Sequence, residues 1–93
     1  MAYRLPPLSA VRVFESAARH GNFTKAAQEL GMTQAAVSYQ IKLLEERVGV
    51  PLFLRRPRQV VLTEAGQRLV PDVSHAFTLM AEAYAVTWRR VRW

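Results

Sequence analysis

The chain has 93 residues, of which 13 are Lys or Arg and 7 are Asp or Glu, so its formal net charge at pH 7 is +6. Hydrophobic residues make up 51% of it and cysteine is absent. This composition predicts one packed domain and excludes a disulfide scaffold, cysteine zinc sites and thiol catalysis. The apolar runs are far shorter than the ~20 residues that span a bilayer, and no secretory signal is visible. We therefore expect a cytoplasmic protein with an acidic partner, nucleic acid before an anionic membrane surface.

The positive charge is concentrated in the first two thirds of the chain. Residues 1–62 contain nine basic side chains and four acidic ones, whereas residues 63–93 contain four and three. The stretch 51–63 has no acid and includes three arginines: Arg55, Arg56 and Arg58. The excess charge thus surrounds one turn.

Two helices are predicted in the first thirty residues. Ser9 is the candidate N-cap of the first, and the helical spacing of apolar residues ends at His20. The second has Thr24 as its candidate N-cap and ends at Leu30. Gly31 follows it and supplies the position where helices end in a left-handed backbone.

A third helix is predicted from Thr33, its N-cap, to Gly49, where Pro51 confirms the end. Its buried side is marked by apolar residues at helical spacing: Val37, Ile41, Leu44 and Val48. Only residues 31–33 separate the second helix from the third. Two helices joined by a short turn that contains glycine form a helix-turn-helix, here over residues 23–42.

The other side of the third helix and its N-terminal end are suited to DNA. The candidate contacts to base edges and phosphates are Thr33, Gln34, Ala35, Ser38, Tyr39 and Lys42. Gln pairs bidentately with adenine, Ser donates or accepts, and Ala leaves room for a thymine methyl group. In an isolated helix the same residues would be an ordinary solvated face, but the preceding helix and turn favour DNA binding.

Residues 52–62 predict a β-hairpin, or wing. Two short apolar segments, 52–54 and 60–62, flank a basic turn. The turn supplies three further candidate contacts to DNA: Arg55, Arg56 and Arg58. Such a wing can lay arginine along or into the minor groove. The alternative is an ordinary arginine-rich loop, which fits less well directly after a helix-turn-helix.

A long last helix is predicted to follow Thr63, its N-cap. Its apolar residues form a heptad-like seam, and we predict a dimer interface at Leu69, Val73, Ala76, Phe77, Met80, Ala83 and Tyr84. Because the apolar side is wider than the small domain can cover, pairing with a second copy is favoured over packing on the chain's own core. Pro71 lies inside this helix and predicts a kink or a loosened turn near Val70.

Several strings match a known family in register. They are FTKAAQEL at 23–30, TQAAVSYQI at 33–41, LE at 44–45, GVPLF at 49–53 and LTEAG at 62–66. On these strings the chain, from residue 5 to about 84, resembles the N-terminal domain of LysR-type transcriptional regulators. The opening strings, LPPL at 5–8 and FESAARH at 14–20, look most like the subgroup of glycine-cleavage activators and β-lactamase regulators.

The resemblance implies a mainly α fold: a winged helix-turn-helix over residues 1–63, followed by a linker and dimerisation helix with its tail over 64–93. It implies sequence-specific binding of double-stranded DNA by a homodimer, with the third helix in the major groove and the wing in the minor groove. Family members continue into an effector-binding domain, absent from these 93 residues, which would permit higher oligomers. At the position of Ala35 much of the family has Pro, and at the position of Tyr39 it has Arg. The bases that this chain prefers are therefore expected to differ from those that much of the family prefers.

Other functions have weaker support. A short tail rich in Trp and Arg would suit a non-catalytic protein-interaction or anionic-membrane module: Trp88, Arg89, Arg90, Arg92 and Trp93. Asp72, Ser74 and His75 lie close in sequence, but neighbours one or two apart on a helix do not face each other. Two histidines without cysteine or clustered carboxylates predict no metal site. We therefore expect no catalysis, no metal and no cofactor.

Overall fold

The computed structural model describes residues 3–91, with side chains as far as residue 89. Six elements follow one another: α1 Leu8–His20, α2 Phe23–Leu30, α3 Gln34–Val48, β1 Phe53–Arg56, β2 Gln59–Leu62 and α4 Glu64–Val91. The two strands pair antiparallel. The predicted fold, three helices with a hairpin wing and a long last helix, is confirmed.

The core lies between α1, α2 and α3 and includes the start of the hairpin. Its buried apolar residues are Ala10, Val13, Phe14, Ala17, Phe23, Ala26, Ala27, Val37, Ile41, Leu44, Leu52 and Phe53. The ring of Phe53 lies 5.6 Å from that of Phe14 and 5.5 Å, edge to face, from that of Phe23. Aromatic packing of this kind anchors β1 to the helices.

The first helix begins earlier than the sequence predicted. Pro7, and not Ser9, is the N-cap of α1. The Pro7 carbonyl accepts hydrogen bonds from the amides of Ala10 and Val11 at 3.1 and 3.2 Å. Pro7 therefore starts the helical hydrogen-bond ladder without a capping side chain, and Ser9 already lies within the helix.

The second helix is capped by Asn22 and not by Thr24. The side-chain oxygen of Asn22 accepts the amide hydrogen of Lys25 at 2.9 Å. Asn and Thr are both favoured N-caps and stand two residues apart, so the local pattern did not distinguish them. With Asn22 as cap, Phe23 becomes the first helical residue, and its ring is buried in the core.

The boundaries of α3 are as predicted. Thr33 Oγ1 accepts the amide hydrogen of Ala36 at 3.0 Å, and Gly49 ends the helix with φ of 93°. Val48, which the sequence assigned to the buried side, is instead 47% exposed. The packed part of α3 ends one turn earlier, at Leu44.

The two strands of the hairpin are each longer than predicted, and the turn between them is shorter. Strand pairing extends to Arg56 opposite Gln59. Only Pro57 and Arg58 remain in the turn, and Arg55 lies within β1. A two-residue connection is enough to join antiparallel strands, which lets the strands extend into the basic segment that the sequence assigned to the turn.

The start of α4 is joined closely to the wing. Thr63 Oγ1 accepts the amide hydrogen of Gly66 at 3.1 Å and donates to the Pro51 carbonyl at 2.8 Å, so the predicted N-cap is confirmed. A methyl group on Gly66 would overlap the Leu52 carbonyl and lie 2.8 Å from the side chain of Leu62. Glycine is therefore required for this close packing.

The rest of α4 extends away from the core. The helix has 28 residues, a length of about 42 Å, and Pro71 does not interrupt it. Four residues of its first turns pack against the core of the same chain: Ala65, Leu69, Val70 and Val73. Residues 78–89 are all exposed. Arg92 and Trp93 of the basic tail lie outside the described residues, and within residues 3–91 no helix is long and apolar enough to cross a membrane.

Candidate nucleic-acid interface

The N-terminal half of α3 presents a polar face to solvent. Four of the five predicted DNA contacts within α3 are exposed: Gln34, Ala35, Tyr39 and Lys42. Tyr39 is 65% exposed, whereas Ser38 is half-buried. The hydroxyl of Thr33, also predicted to contact DNA, is occupied in capping the helix.

The three wing arginines have different surroundings. Because successive residues of a strand point to opposite faces, Arg55 shares the inner face of β1 with the buried Phe53, and Arg56 lies on the outer face. Arg58 lies in the turn. Among the described residues, only Arg55 of the three makes a side-chain hydrogen bond or a ring contact.

A polar cleft separates the helix-turn-helix from the wing. It is lined by the start of α2, the start of α3 and the wing: Asn22, Phe23, Thr24, Gln34, Ser38 and residues 55–60. The structure thus brings five predicted contacts to one concave surface: Gln34, Ser38, Arg55, Arg56 and Arg58. It leaves Ala35 outside the cleft, and Tyr39 and Lys42 border a separate hollow on α3.

Three further polar residues line the cleft that sequence reasoning did not single out as candidates for DNA binding: Asn22, Thr24 and Gln59. The first two lie at the N-terminus of α2, where the helix dipole and the first amides favour an anion. Recognising Asn22 as the N-cap would have pointed to them. Gln59 was assigned to the turn, and only the strand pairing places it opposite Arg56.

Both strands of the wing are tied by hydrogen bonds to the helical part of the domain. One carboxylate oxygen of Glu45, on α3, accepts the amide hydrogens of Leu52 at 2.7 Å and Phe53 at 3.2 Å. On the other strand, the amide of Val60 donates to the carbonyl of Gly21 at 3.1 Å. The wing is therefore held in place relative to α3, a role of Glu45 that sequence reasoning missed.

A cluster of charged and polar side chains joins α1 to α2 outside the cleft. Arg19 lies 2.8 Å from Glu15 and 2.9 Å from Glu29, and Ser16 donates to Glu29 at 2.6 Å. His20 Nε2 lies 2.9 Å from the same carboxylate. The hydrogen bonds from Ser16 and then Arg19 lower the pKa of Glu29 to about 2. The hydrogen bonds that Arg19 donates to Glu15 and then to Glu29 raise the pKa of Arg19 above its usual range.

An apolar groove lies between the N-terminal segment and α4. It is lined by Leu5, Leu8, Val11, Val73, Ala76, Phe77 and Met80, together with Asp72. Four of these residues belong to the predicted dimer interface, and two more predicted residues, Ala83 and Tyr84, are exposed further along α4. The groove also includes Leu5, Leu8 and Val11, which sequence reasoning did not assign to an interface.

Residues 8–67 match the model of a family described as bacterial regulatory helix-turn-helix protein, lysR family. The chain belongs to the LysR family. The match extends from α1 through the wing to the first turn of α4, so it includes the whole polar cleft. It confirms the family that the sequence strings indicated.

Two curated members of the LysR family are similar to this chain. The glycine cleavage system transcriptional activator of Escherichia coli (strain K12) is 55% identical over 83 residues, which are 89% of this chain and 27% of that protein. The carbapenem-hydrolyzing beta-lactamase transcriptional activator of Enterobacter cloacae is 49% identical over 77 residues, 83% of this chain and 26% of that protein. Both subgroups expected from the sequence are represented, and the chain spans about a quarter of the length of these relatives.

A solved structure of a DNA complex has the same fold. The BenM_DBD/catB site 1 DNA complex superposes with a TM-score of 0.81 at 30% sequence identity, covering 88% of this chain and 91% of that chain. That structure contains a DNA-binding domain together with DNA. This chain therefore contains the LysR-family DNA-binding domain, in its winged helix-turn-helix form.

Proposed function

We propose that this chain binds double-stranded DNA sequence-specifically as a homodimer, and that it is the DNA-binding and dimerisation part of a transcriptional regulator. The polar cleft is the observation that carries the proposal, because it combines Gln34 and Ser38 of α3 with the wing arginines on one side of the molecule. The relatives are named as transcriptional activators, and the solved relative is a DNA complex. Such a regulator works in the cytoplasm, where bacterial DNA lies.

In this proposal α3 enters the major groove with its N-terminal half. Gln34, Ser38 and Tyr39 reach base edges, and the small side chain of Ala35 permits a close approach to a thymine methyl group. Lys42, exposed one turn further along, contacts a phosphate. Phosphate contacts position the helix, whereas the base contacts select the sequence.

The wing lies over the adjacent minor groove. Its two-residue turn puts Arg58 at the tip of the hairpin, where the negative potential of a narrow minor groove attracts arginine. Arg56 is exposed on the outer face of β1 and binds a phosphate. The fixed base of the wing supports this arrangement because the two grooves must be contacted at the same time.

A second copy covers the apolar groove and the exposed part of α4. The groove is lined by seven apolar residues and one aspartate. Tyr84 and Trp88 stack beyond it with ring centroids 5.9 Å apart and are exposed to 57% and 61%. An exposed apolar surface of this kind marks a protein interface on a small domain.

Selection from a random DNA pool tests the proposal. We expect the chain to enrich a dyad-symmetric sequence and to bind it at least ~10³-fold more tightly than random duplex at about 150 mM salt. Equal affinity for selected and random duplex would exclude sequence-specific binding. Sedimentation with anionic vesicles instead of duplex would favour the membrane alternative through the tail.

Two single substitutions test the placement of the wing. Arg58→Ala is expected to lower the slope of log affinity against log salt by about one, because one phosphate or minor-groove charge contact is lost. Arg68→Ala, which removes an exposed arginine paired with Glu64 on α4, is the matched control and leaves the slope unchanged. Equal slopes for both variants would place Arg58 away from DNA.

A further inference from the structure

Arg55 differs from its neighbours in what it touches. Its guanidinium carbon lies 5.1 Å from the centroid of the Phe23 ring, on α2. Its Nη1 donates to Ser38 Oγ, on α3, at 3.4 Å. One side chain of β1 therefore contacts both helices of the helix-turn-helix. All three wing arginines are exposed, and within the described residues Arg55 alone of the three makes such contacts.

The ring beneath Arg55 is itself fixed. Phe23 is 6% exposed, and it packs edge to face against Phe53. A guanidinium over an aromatic face is attracted by the negative face of the ring, and its planar shape allows it to stack there. Arg55 thus lies on a rigid support that belongs to the core.

Arg55 lies only one cross-strand pair before the turn of the hairpin, so its contacts hold the wing close to its tip. Arg55 is paired with Val60, whose amide is bonded to Gly21, so both strands are fixed to the helices at this one level. Beyond it remain a single cross-strand pair and the two-residue turn with Arg58. In the described part of the chain, the hydrogen bond and ring contact of Arg55 are the last of their kind on β1 before the turn.

We propose that Arg55 is a positioning residue, which sets the distance and angle between the wing and α3, and that it is not itself a contact to DNA. The inference rests on the proposed function, because a fixed wing matters when α3 and Arg58 must reach two grooves together. Arg55 acts through Phe23 and Ser38. Lysine at this position keeps the charge but loses the planar group that stacks and donates at once.

The first test uses the 93-residue chain without DNA, so it does not depend on the proposed function. We expect backbone NMR order parameters of Arg56, Arg58 and Gln59 near 0.85 in the unchanged chain. In Arg55→Lys they fall to below about 0.6 while those of α1 stay unchanged. Arg56→Lys, on the outer face, is the matched control and keeps the wing ordered. Equal order in all three proteins would overturn the proposal.

The second test measures affinity for the selected duplex against salt. We expect Arg55→Lys to bind about two- to fivefold more weakly with an unchanged salt slope, since the charge remains and only the stacking is lost. Arg68→Lys, which changes an exposed arginine on α4 away from the wing, is the control and stays within about twofold of the unchanged chain, because an exposed ion pair contributes little. Wild-type affinity in Arg55→Lys, with a slope lowered by about one in Arg55→Ala, would make Arg55 a phosphate contact and overturn the proposal.

Phe23→Leu gives an independent check because it keeps apolar volume and removes the ring. If Arg55 acts through Phe23, the double variant with Arg55→Lys binds no more weakly than the weaker single variant. Additive losses would contradict that coupling. Thermal unfolding of each variant identifies any variant that has lost its fold. If Phe23→Leu or the double variant does not fold, the wing order and DNA affinity of Arg55→Lys alone test the proposal. A chain with ordered wing but no preference for any duplex would refute the proposed function and leave the positioning result intact.

Discussion

The carboxylate of Glu29, on α2, is the common partner of three polar side chains of α1. Ser16 and Arg19 donate to its carboxylate, and His20 Nε2 lies within hydrogen-bond distance of it. Ser16 is only 1% exposed, so its hydroxyl depends on this one acceptor. The carboxylate is therefore favoured in its ionised form in the folded chain, which makes the packing of the two helices sensitive to acid.

Acid unfolding tests this role of Glu29. Its pKa is about 2 in the folded chain against an ordinary value of 4.5, so as pH falls the unfolded chain binds a proton first. The stabilisation is complete above about pH 4.5 and is lost as pH falls towards about 2. Glu29→Gln is expected to unfold at a lower temperature at about pH 6, with a difference that shrinks as pH falls through this window.

The control for this prediction is Glu82→Gln, which neutralises an exposed carboxylate on α4. It should follow the unchanged chain at every pH. Melting temperatures by circular dichroism over the acidic range provide the measurement. A gap between Glu29→Gln and the unchanged chain that stays constant down to about pH 2.5 would contradict the lowered pKa.

At the residue scale, the sequence analysis treated the three wing arginines alike and did not distinguish their surroundings. Arg55, Arg56 and Arg58 were assigned together as DNA contacts. The alternation of a strand separates Arg55 from Arg56, and this follows only once the strand is known to extend to Arg56. The contact between Arg55 and Phe23 joins residues 32 positions apart, and no local pattern reports such a pair.

At the scale of elements, strong caps and glycines were sufficient to predict most boundaries. Thr33 and Gly49 bound α3 as predicted, and Thr63 caps α4. The N-caps of α1 and α2 were each placed two residues too late, at Ser9 and Thr24. Pro7 caps α1 without a capping side chain, and at α2 two favoured caps, Asn22 and Thr24, stand two residues apart. Tertiary contacts make the choice there: the burial of Phe23 favours the earlier cap of α2.

The junction between α3 and the wing also depends on a contact that local patterns do not reveal. The Glu45 carboxylate accepts the amides of Leu52 and Phe53, and both residues are buried. Glu45→Ala would leave these two amides without that acceptor. We expect it to lower the free energy of unfolding by about 1–3 kcal/mol, the cost of unsatisfied buried donors.

Glu46→Ala is the matched control for this element, since Glu46 is the next residue of α3 and is exposed. Its effect is expected to stay within about 0.5 kcal/mol. Urea denaturation followed by circular dichroism compares the two variants. Equal stability of the two would mean that the wing amides find other partners and that Glu45 does not hold the junction.

At the scale of the whole molecule, α4 has two parts with different surroundings. Leu69 and Val73 pack on the core of the same chain, as the alternative to dimerisation anticipated. From residue 78 onward the described helix is exposed, and a single copy of the domain leaves it uncovered. The sequence seam thus serves the fold at its start, and we propose that it serves the dimer along the remainder.

A negative charge placed on the exposed apolar side of α4 distinguishes a role of this helix in the fold from a role in the dimer. Met80 lines the apolar groove and is 36% exposed, so Met80→Glu is expected to leave the fold intact. In a dimer the same carboxylate would be buried without a partner, which raises the dimer dissociation constant at least about tenfold. Thr78→Glu adds the same charge at an exposed position about 200° away around the helix, and it should leave dimerisation unchanged. Sedimentation velocity measures both.

Affinity for DNA is a second, independent measure of the loss of dimerisation in Met80→Glu. Two linked DNA-binding domains bind a dyad far more tightly than one half-site, because the second domain binds at a high effective concentration. Met80→Glu is therefore expected to lose at least about tenfold in affinity for the selected dyad and little for a single half-site. If Met80→Glu and Thr78→Glu remain equally dimeric, the exposed part of α4 is not the interface. The second copy would then have to bind elsewhere on the domain.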